Sequence, residues 1–263
     1  MLTSGIGNNL HTGVLNADNA LSKSIERVAS GKRINRASDD AAASAQLAQM
    51  EAQTRGITQM MANQQDQASV LQTASASLST TANMLQGINH LSVQASNGTL
   101  TDADRRTIQN QISQLVSQIN MGASQTQYNG KNLLDGSFNT VLPSGENFAI
   151  GDMSATGLGL GNLSVATMGD ASNAISTVQS AIGKVSSVQG ALGSAINGIG
   201  SSVSNLQQQF VNATSAQSQI GDVDMAEAIM NMTMNSVQQQ ASMSVFKMGL
   251  DTRSNAVSLL SEM

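Results

Sequence analysis

One proline, Pro143, interrupts a chain of 263 residues. Proline lacks the backbone donor and clashes with the preceding turn, so it breaks helices more effectively than any other residue. With Pro143 alone in the way, helices much longer than those of ordinary globular domains become available. Apolar residues on both sides of it follow the three-and-four spacing of coiled coils. A first run reads Leu10, Val14, Ala17, Leu21, Ile25, Val28. Leu71, Ala74, Leu78, Thr81, Leu85, Ile88, Leu91 and Ala95 form a second, and Ile108, Ile112, Leu115 and Ile119 a third. Beyond Pro143 the rhythm holds over roughly five heptads from Ile175 to Phe210. A last run, Met230, Met234, Val237, Ala241, Val245, Met248, keeps it with softer side chains.

Aromatic residues make up only 2% of the chain and there is no Trp. The core must therefore be built from Ala, Val, Ile, Leu and fifteen Met, which suits helices packed closely along a seam. Charged residues, at 11%, are also scarce. Surfaces of this kind meet other protein surfaces readily, because few charges must be desolvated. Absence of Cys excludes disulfides, thiolate metal sites and Cys nucleophiles. The net charge of −5 argues against non-specific binding to nucleic acid. "MLTSGIGNNLHTG" has neither a basic n-region nor an apolar h-region, and no run approaches about eighteen apolar residues. The expectation is a chain with no membrane span, either cytoplasmic or exported without a cleaved signal.

The spacing predicts a helix over about Ala43–Ser96, roughly 80 Å long at 1.5 Å per residue. Asn97-Gly98 is expected to end it in a left-handed conformation. Thr101 then caps the next helix, with Asp102 and Asp104 in its first turn. From Asn129 to about Gly169, glycines punctuate the chain. Phe138, Val141, Phe148 and Ile150 flank a Pro-Ser-Gly turn, a β-hairpin signal. "LGLGNLSVAT" is a candidate further extended segment. The fold class expected is mainly α: a long antiparallel helical coiled-coil rod folded back on itself. A small β-hairpin stands at its distal end, and the N- and C-terminal helices pair. The domains expected are an N-terminal arm over 1–43, a helical rod over 44–217 with the hairpin at about 136–166, and a C-terminal arm over 218–263. The terminal stripes are expected to bury against each other and against neighbouring copies.

No catalytic constellation stands out. His11 and His90 fall on different helices without ligand partners at helical spacing. Gly31-Lys32 lacks the frame of a phosphate loop, and Gly157–Gly161 lacks the strand-turn-helix context of a dinucleotide site. The acid pairs Asp39/Asp40, Asp102/Asp104 and Asp222/Asp224 lack the frame of a calcium loop. No catalytic, cofactor or metal site is expected, and no enzyme. Five of the twelve basic residues lie between Lys23 and Arg36, with no aromatic nearby for stacking on bases. Lys32, Arg33 and Arg36 are therefore expected to meet acids on a neighbouring subunit, with Asp39, Asp40, Asp222 and Asp224 as candidates. A plain solvated face is the alternative.

"SGKRINRASDDAAASAQLA" at Ser30–Ala48 resembles the N-terminal signature of bacterial flagellins, as does "RGITQMMANQQDQASVLQTA" from Arg55 to Ala74. "TQYNGKNLLDGSF" at Thr126–Phe138 is similar to the flagellin stretch before the β-hairpin. "SQIGDVDMAEAIMNMT" at Ser218–Thr233 and "VSLL" at Val257–Leu260 resemble the C-terminal arm. The resemblance implies a subunit that self-assembles into the flagellar filament, the helical propeller of swimming cells. It further implies export through the flagellar apparatus with a chaperone, and an extracellular location. Implied partners are further copies of itself, the filament cap and the hook-junction proteins, with no nucleic acid and no membrane. The arms carry assembly in that family. Here they place Leu10, Val14, Ala17, Leu21, Ile25, Val28, Met230, Met234, Val237, Val245, Leu259 and Leu260 in the inner coiled coil. The sequence departs from the family at several points. In "LQGINHLSVQ", Leu85, Gln86, Gly87, His90 and Leu91 occupy the stretch read by the Toll-like receptor for flagellin. Gly87 stands there in place of an arginine and His90 in place of an acid. Lys32 and Arg36 stand where Leu and Ser are common. Within the superfamily a hook–filament junction protein is the runner-up, and a non-flagellar coiled-coil adhesin or signalling protein comes third.

Overall fold

The computed structural model describes the backbone of residues 2–261 and the side chains of residues 9–252, 254, 255 and 258. The protein is mainly α. Its elements run α1 (Leu2–Ser30), α2 (Ala41–Ala95), α3 (Asp102–Gln125), β1 (Gln127–Tyr128), β2 (Lys131–Asn132), β3 (Asn139–Val141), β4 (Asn147–Ala149), α4 (Ala155–Leu158), α5 (Met168–Gly221) and α6 (Met225–Ser261). Two compact units divide the chain, one formed by Met1–Gly56 with Gln209–Met263 and the other by Ile57–Gln208. The long helices α2 and α5 contribute to both.

In the central unit, α2 and α3 run antiparallel. Gly87 faces Leu115, and further along the pair the Ser77 and Thr126 hydroxyls lie 2.7 Å apart. The heptad residues of α2, α3 and α5 converge: Leu71, Leu78, Leu85, Ile88, Ile112, Ile119 and Leu192 are fully buried in one cluster. The segment after α3 joins that cluster through Leu133, Leu134, Ile150 and Leu160. Asn120 and Gln109 of α3 bind this segment by its backbone. The Asn120 side-chain oxygen accepts from the Ala155 amide, and that of Gln109 from the Val165 amide, both at 2.8 Å.

Thr101 begins α3 as anticipated. Its hydroxyl accepts from the Asp104 amide, while the Asp104 carboxylate accepts from the Thr101 amide at 3.0 Å, a reciprocal capping box. The exit from α2 differs from the expectation. Neither Asn97 nor Gly98 has a positive φ. Arg105, 7% exposed, closes the helix end instead. Its guanidinium donates to the carbonyls of Ala95 at 3.1 Å, Asn97 at 3.0 Å and Leu100 at 2.9 Å. One side chain thus satisfies three carbonyls at and beyond the end of α2.

The hairpin around Pro143 forms as β3 against β4, with Thr140 opposite Phe148 and Gly145 at φ +85° in the turn. A second, smaller hairpin pairs β1 with β2. Asn129 (φ +48°) and Gly130 (φ +76°) form its turn, as the twist of a two-residue hairpin requires. "LGLGNLSVAT" is not an extended strand. It follows from the short helix α4, which ends at Gly159 with φ +84°, into irregular chain.

In the terminal unit, α1 packs along α6. The loops that join these helices to α2 and α5 clasp each other through a pair of backbone hydrogen bonds. The Arg33 amide donates to the Gly221 carbonyl at 2.7 Å, and the Val223 amide to the Gly31 carbonyl at 3.0 Å. Gly31 makes the sharp exit from α1 at φ +68°.

Candidate self-assembly surface

The α1 stripe faces α6 as the spacing predicts. Ala17 is buried, and Leu10, Val14, Leu21 and Val28 are half-buried, with Ile25 exposed at the edge. The α6 stripe does not face α1. The side of α6 that meets α1 carries Ala228, Met232, Asn235, Gln239, Phe246 and Gly249, all buried or half-buried. Polar contacts set the register of this seam. Asn235 donates to the Ser24 hydroxyl at 2.7 Å, and Gln239 to the Asp18 carboxylate at 2.8 Å. His11 lies against the ring of Phe246, with centroids 6.1 Å apart. Gly249 lets Leu10 approach closely: a Cβ there would come within 2.6 Å of the leucine.

Met230, Met234, Val237, Ala241, Val245 and Met248 repeat in steps of three and four residues, so they share one face of α6. That face is opposite the seam, and its large side chains are 46% to 67% exposed. An exposed apolar row of this length marks a contact surface. Of the expectation that the two terminal stripes bury against each other and against neighbouring copies, the first half is thereby corrected: α1's is covered by α6, and α6's is left outward. Spacing identifies a stripe but not the partner that covers it. Leu259 and Leu260 lie outside the described side chains.

The charged cluster is largely engaged within the chain. Asp39 forms an ion pair with Lys23 at 3.2 Å and accepts from the amides of Arg36 and Asn35. The bond from Lys23, aided by these amides, holds the Asp39 carboxyl below its ordinary value. Arg36 pairs with Glu26 at 3.0 Å. Arg33 donates from its guanidinium to the Ile220 carbonyl at 2.8 Å. Asp40 caps α2 by accepting from the Ala43 amide at 2.9 Å, and Asp224 caps α6 by accepting from the Ala226 amide at 2.9 Å. Asp222 bonds Ser218 through its side chain and pairs with Lys32 through its backbone. Lys32 is exposed, and its ammonium has no partner among the described residues.

In the receptor-like stretch, Leu85 is fully buried and Leu91 half-buried, so both serve the core. Gln86 and His90 are exposed, and Gly87 packs 3.6 Å from Leu115. Among the described residues no three His, Asp or Glu side chains gather as metal ligands, and no helix is long and apolar enough to cross a membrane. A groove of about 590 Å³ between the β3–β4 hairpin and α5 is lined mainly by small and apolar residues, including Leu142, Phe148, Ala195 and Ile199.

Long paired helices, a closed central core and an uncovered terminal row define a structural subunit built to join with others. Comparison with known proteins gives that class its family. Residues 2–139 match the bacterial flagellin N-terminal helical region, and residues 175–260 the C-terminal helical region. The chain is 34% identical to flagellin FlaB2 of Treponema pallidum, covering 92% of each sequence. It is 35% identical to the flagellin of Bacillus subtilis, covering 94% of this chain and 95% of that one. The crystal structure of Bacillus cereus flagellin superposes with a TM-score of 0.50 at 26% identity, over 59% of this chain and 94% of that one. A putative flagellar hook-associated protein from Vibrio parahaemolyticus shares the fold, with a TM-score of 0.61 at 15% identity over 70% of this chain and all of that one. The chain belongs to the bacterial flagellin family and is a structural subunit of the flagellar filament.

Proposed function

We propose that copies of this chain join the filament by burying the outward row of α6, together with the exposed edge of α1 at Ile25, against neighbouring subunits. The observation that carries this reading is the uncovered row itself, Met230 through Met248. Full burial of its five large side chains contributes on the order of 10 kcal/mol before the costs of ordering. Residues 1–43 and 218–263 then act as assembly arms, and 44–217 as the part that carries the independent core. Lys32 is the member of the charged cluster available to an acid on a neighbouring copy. The same reading places the filament outside the cell, fed by the flagellar export apparatus and its chaperone and bounded by cap and hook-junction proteins. It does not include recognition by the flagellin receptor, because Gly87 and His90 supply neither the cation nor the acid of that stretch.

Met234→Asp tests the reading. The variant should fold with a stability within about 0.5 kcal/mol of the parent, since the site is exposed in the single chain. Polymerisation should stop, as seen by negative-stain electron microscopy and sedimentation. Filaments of normal length from this variant would overturn the proposed surface.

A further inference from the structure

We propose that Met230, Met234 and Met248 form an oxidant-sensitive site that decides whether a subunit can assemble. The proposal rests on the assembly surface just described. Six of the fifteen methionines lie in α6, and these three stand in its outward row at 67%, 61% and 60% exposure. The chain has no Cys and no Trp, so thioethers are its most readily oxidised side chains. Nothing among the described residues shields them.

The chemistry needs only a peroxide. A lone pair of the thioether sulfur attacks one peroxide oxygen, an S–O bond forms and the O–O bond breaks. Sulfur loses two electrons and the peroxide gains them. The departing oxygen takes up a proton and leaves as water, and the sulfonium-bound hydroxyl gives up its own proton to become the sulfoxide. A flexible apolar side chain has then become a polar one with a strong acceptor. The rest of the row, Val237, Ala241 and Val245, offers no side-chain donor to pair with it. Burying the oxidised row against a neighbour leaves those acceptors unsatisfied. Sulfoxide reduction reverses the change, so the site works in both directions.

Met60, Met121 and Met168 provide an internal control. They are 47%, 51% and 57% exposed but belong to the central unit and not to the row. The experiment treats the full, unpolymerised chain with hydrogen peroxide, maps sulfoxides by peptide mass spectrometry and measures the critical concentration for polymerisation. Sulfoxide should form at all six positions, and the critical concentration should rise by about tenfold or more. The triple variant Met230→Leu, Met234→Leu, Met248→Leu should keep its critical concentration through the same treatment. The corresponding triple Leu variant at 60, 121 and 168 should remain as sensitive as the parent. Treating the oxidised parent with methionine sulfoxide reductases should restore assembly, which gives a reading independent of any variant. An oxidised parent that polymerises normally overturns the inference alone. So does a row variant that is itself inactivated, or a parent that stays inactive after its sulfoxides are reduced. An untreated parent that fails to polymerise overturns the assembly reading, and this inference with it.

Discussion

The central and terminal units use the same apolar spacing to opposite ends. In the central unit Leu71, Leu78, Leu85 and Ile88 of α2 have no exposure, because α3, α5 and the segment between them close over that face. In the terminal unit the buried apolar residues, among those described, are Ala17, Ile34 and Ala228. Met230, Met234, Val237 and Met248 hold an equivalent spacing and point outward. The central heptads find their partners within the chain, whereas one side of the terminal pair is left for another molecule. A unit with so little buried apolar surface gains limited stability from its own folding. On the proposed mode of assembly, burial against neighbours makes up the difference.

Truncation probes this contrast most directly. Leu85→Ala should cost roughly 2–5 kcal/mol in urea unfolding of the monomer, through lost transfer energy and the cavity left behind. The Met234→Asp exchange described above should barely move the same measurement. Comparable losses from the two would erase the distinction between the units. A smaller effect is expected at the exit from α2. Arg105→Leu removes the donors that hold three carbonyls and should destabilise the monomer by about 1–3 kcal/mol. A neutral result would mean that water can take over the pairing.

The subtlest test is acidification. The Thr101 hydroxyl and amide hold the Asp104 carboxyl below its ordinary value of 3.8. A carboxylate whose value is depressed by folding stabilises the folded state at higher pH and loses that contribution as pH falls through the folded-state value. Below the ordinary value the first turn of α3 should therefore exchange its amides faster, relative to the body of the helix. Asp104→Asn should flatten that dependence. Equal pH profiles for parent and variant would show that the cap does not depend on the charge.

Much of this was legible beforehand. Long helices followed from a nearly proline-free chain with heptad spacing, and Thr101 with Asp104 announced its own cap. The Pro-Ser-Gly turn marked one hairpin. Asn129-Gly130 is an equally good turn signal for the other, but strands of two residues leave no alternation to read beside it. The exit from α2 lies beyond any local pattern, because its solution is a side chain one helix further on. For α6, the row was found but its direction was not. Both of its faces are acceptable to a neighbour, one through apolar area and the other through Asn235, Gln239 and small residues. For the basic cluster, spacing cannot show that Glu26, Asp39 and the Ile220 carbonyl return to it within the chain.

The clasp between the two loops has a consequence for inheritance. Amides and carbonyls are common to nearly all residues, so the pairing of 31–33 with 221–223 does not read the side chains at 32 and 222. Lysine and aspartate there can be exchanged by mutation while the joint persists. Gly31 is the exception, since its backbone turns through a region that other residues enter at a cost. Drift can rewrite the charges at 32 and 222, while the letter that the turn out of α1 needs copied carries no side chain at all.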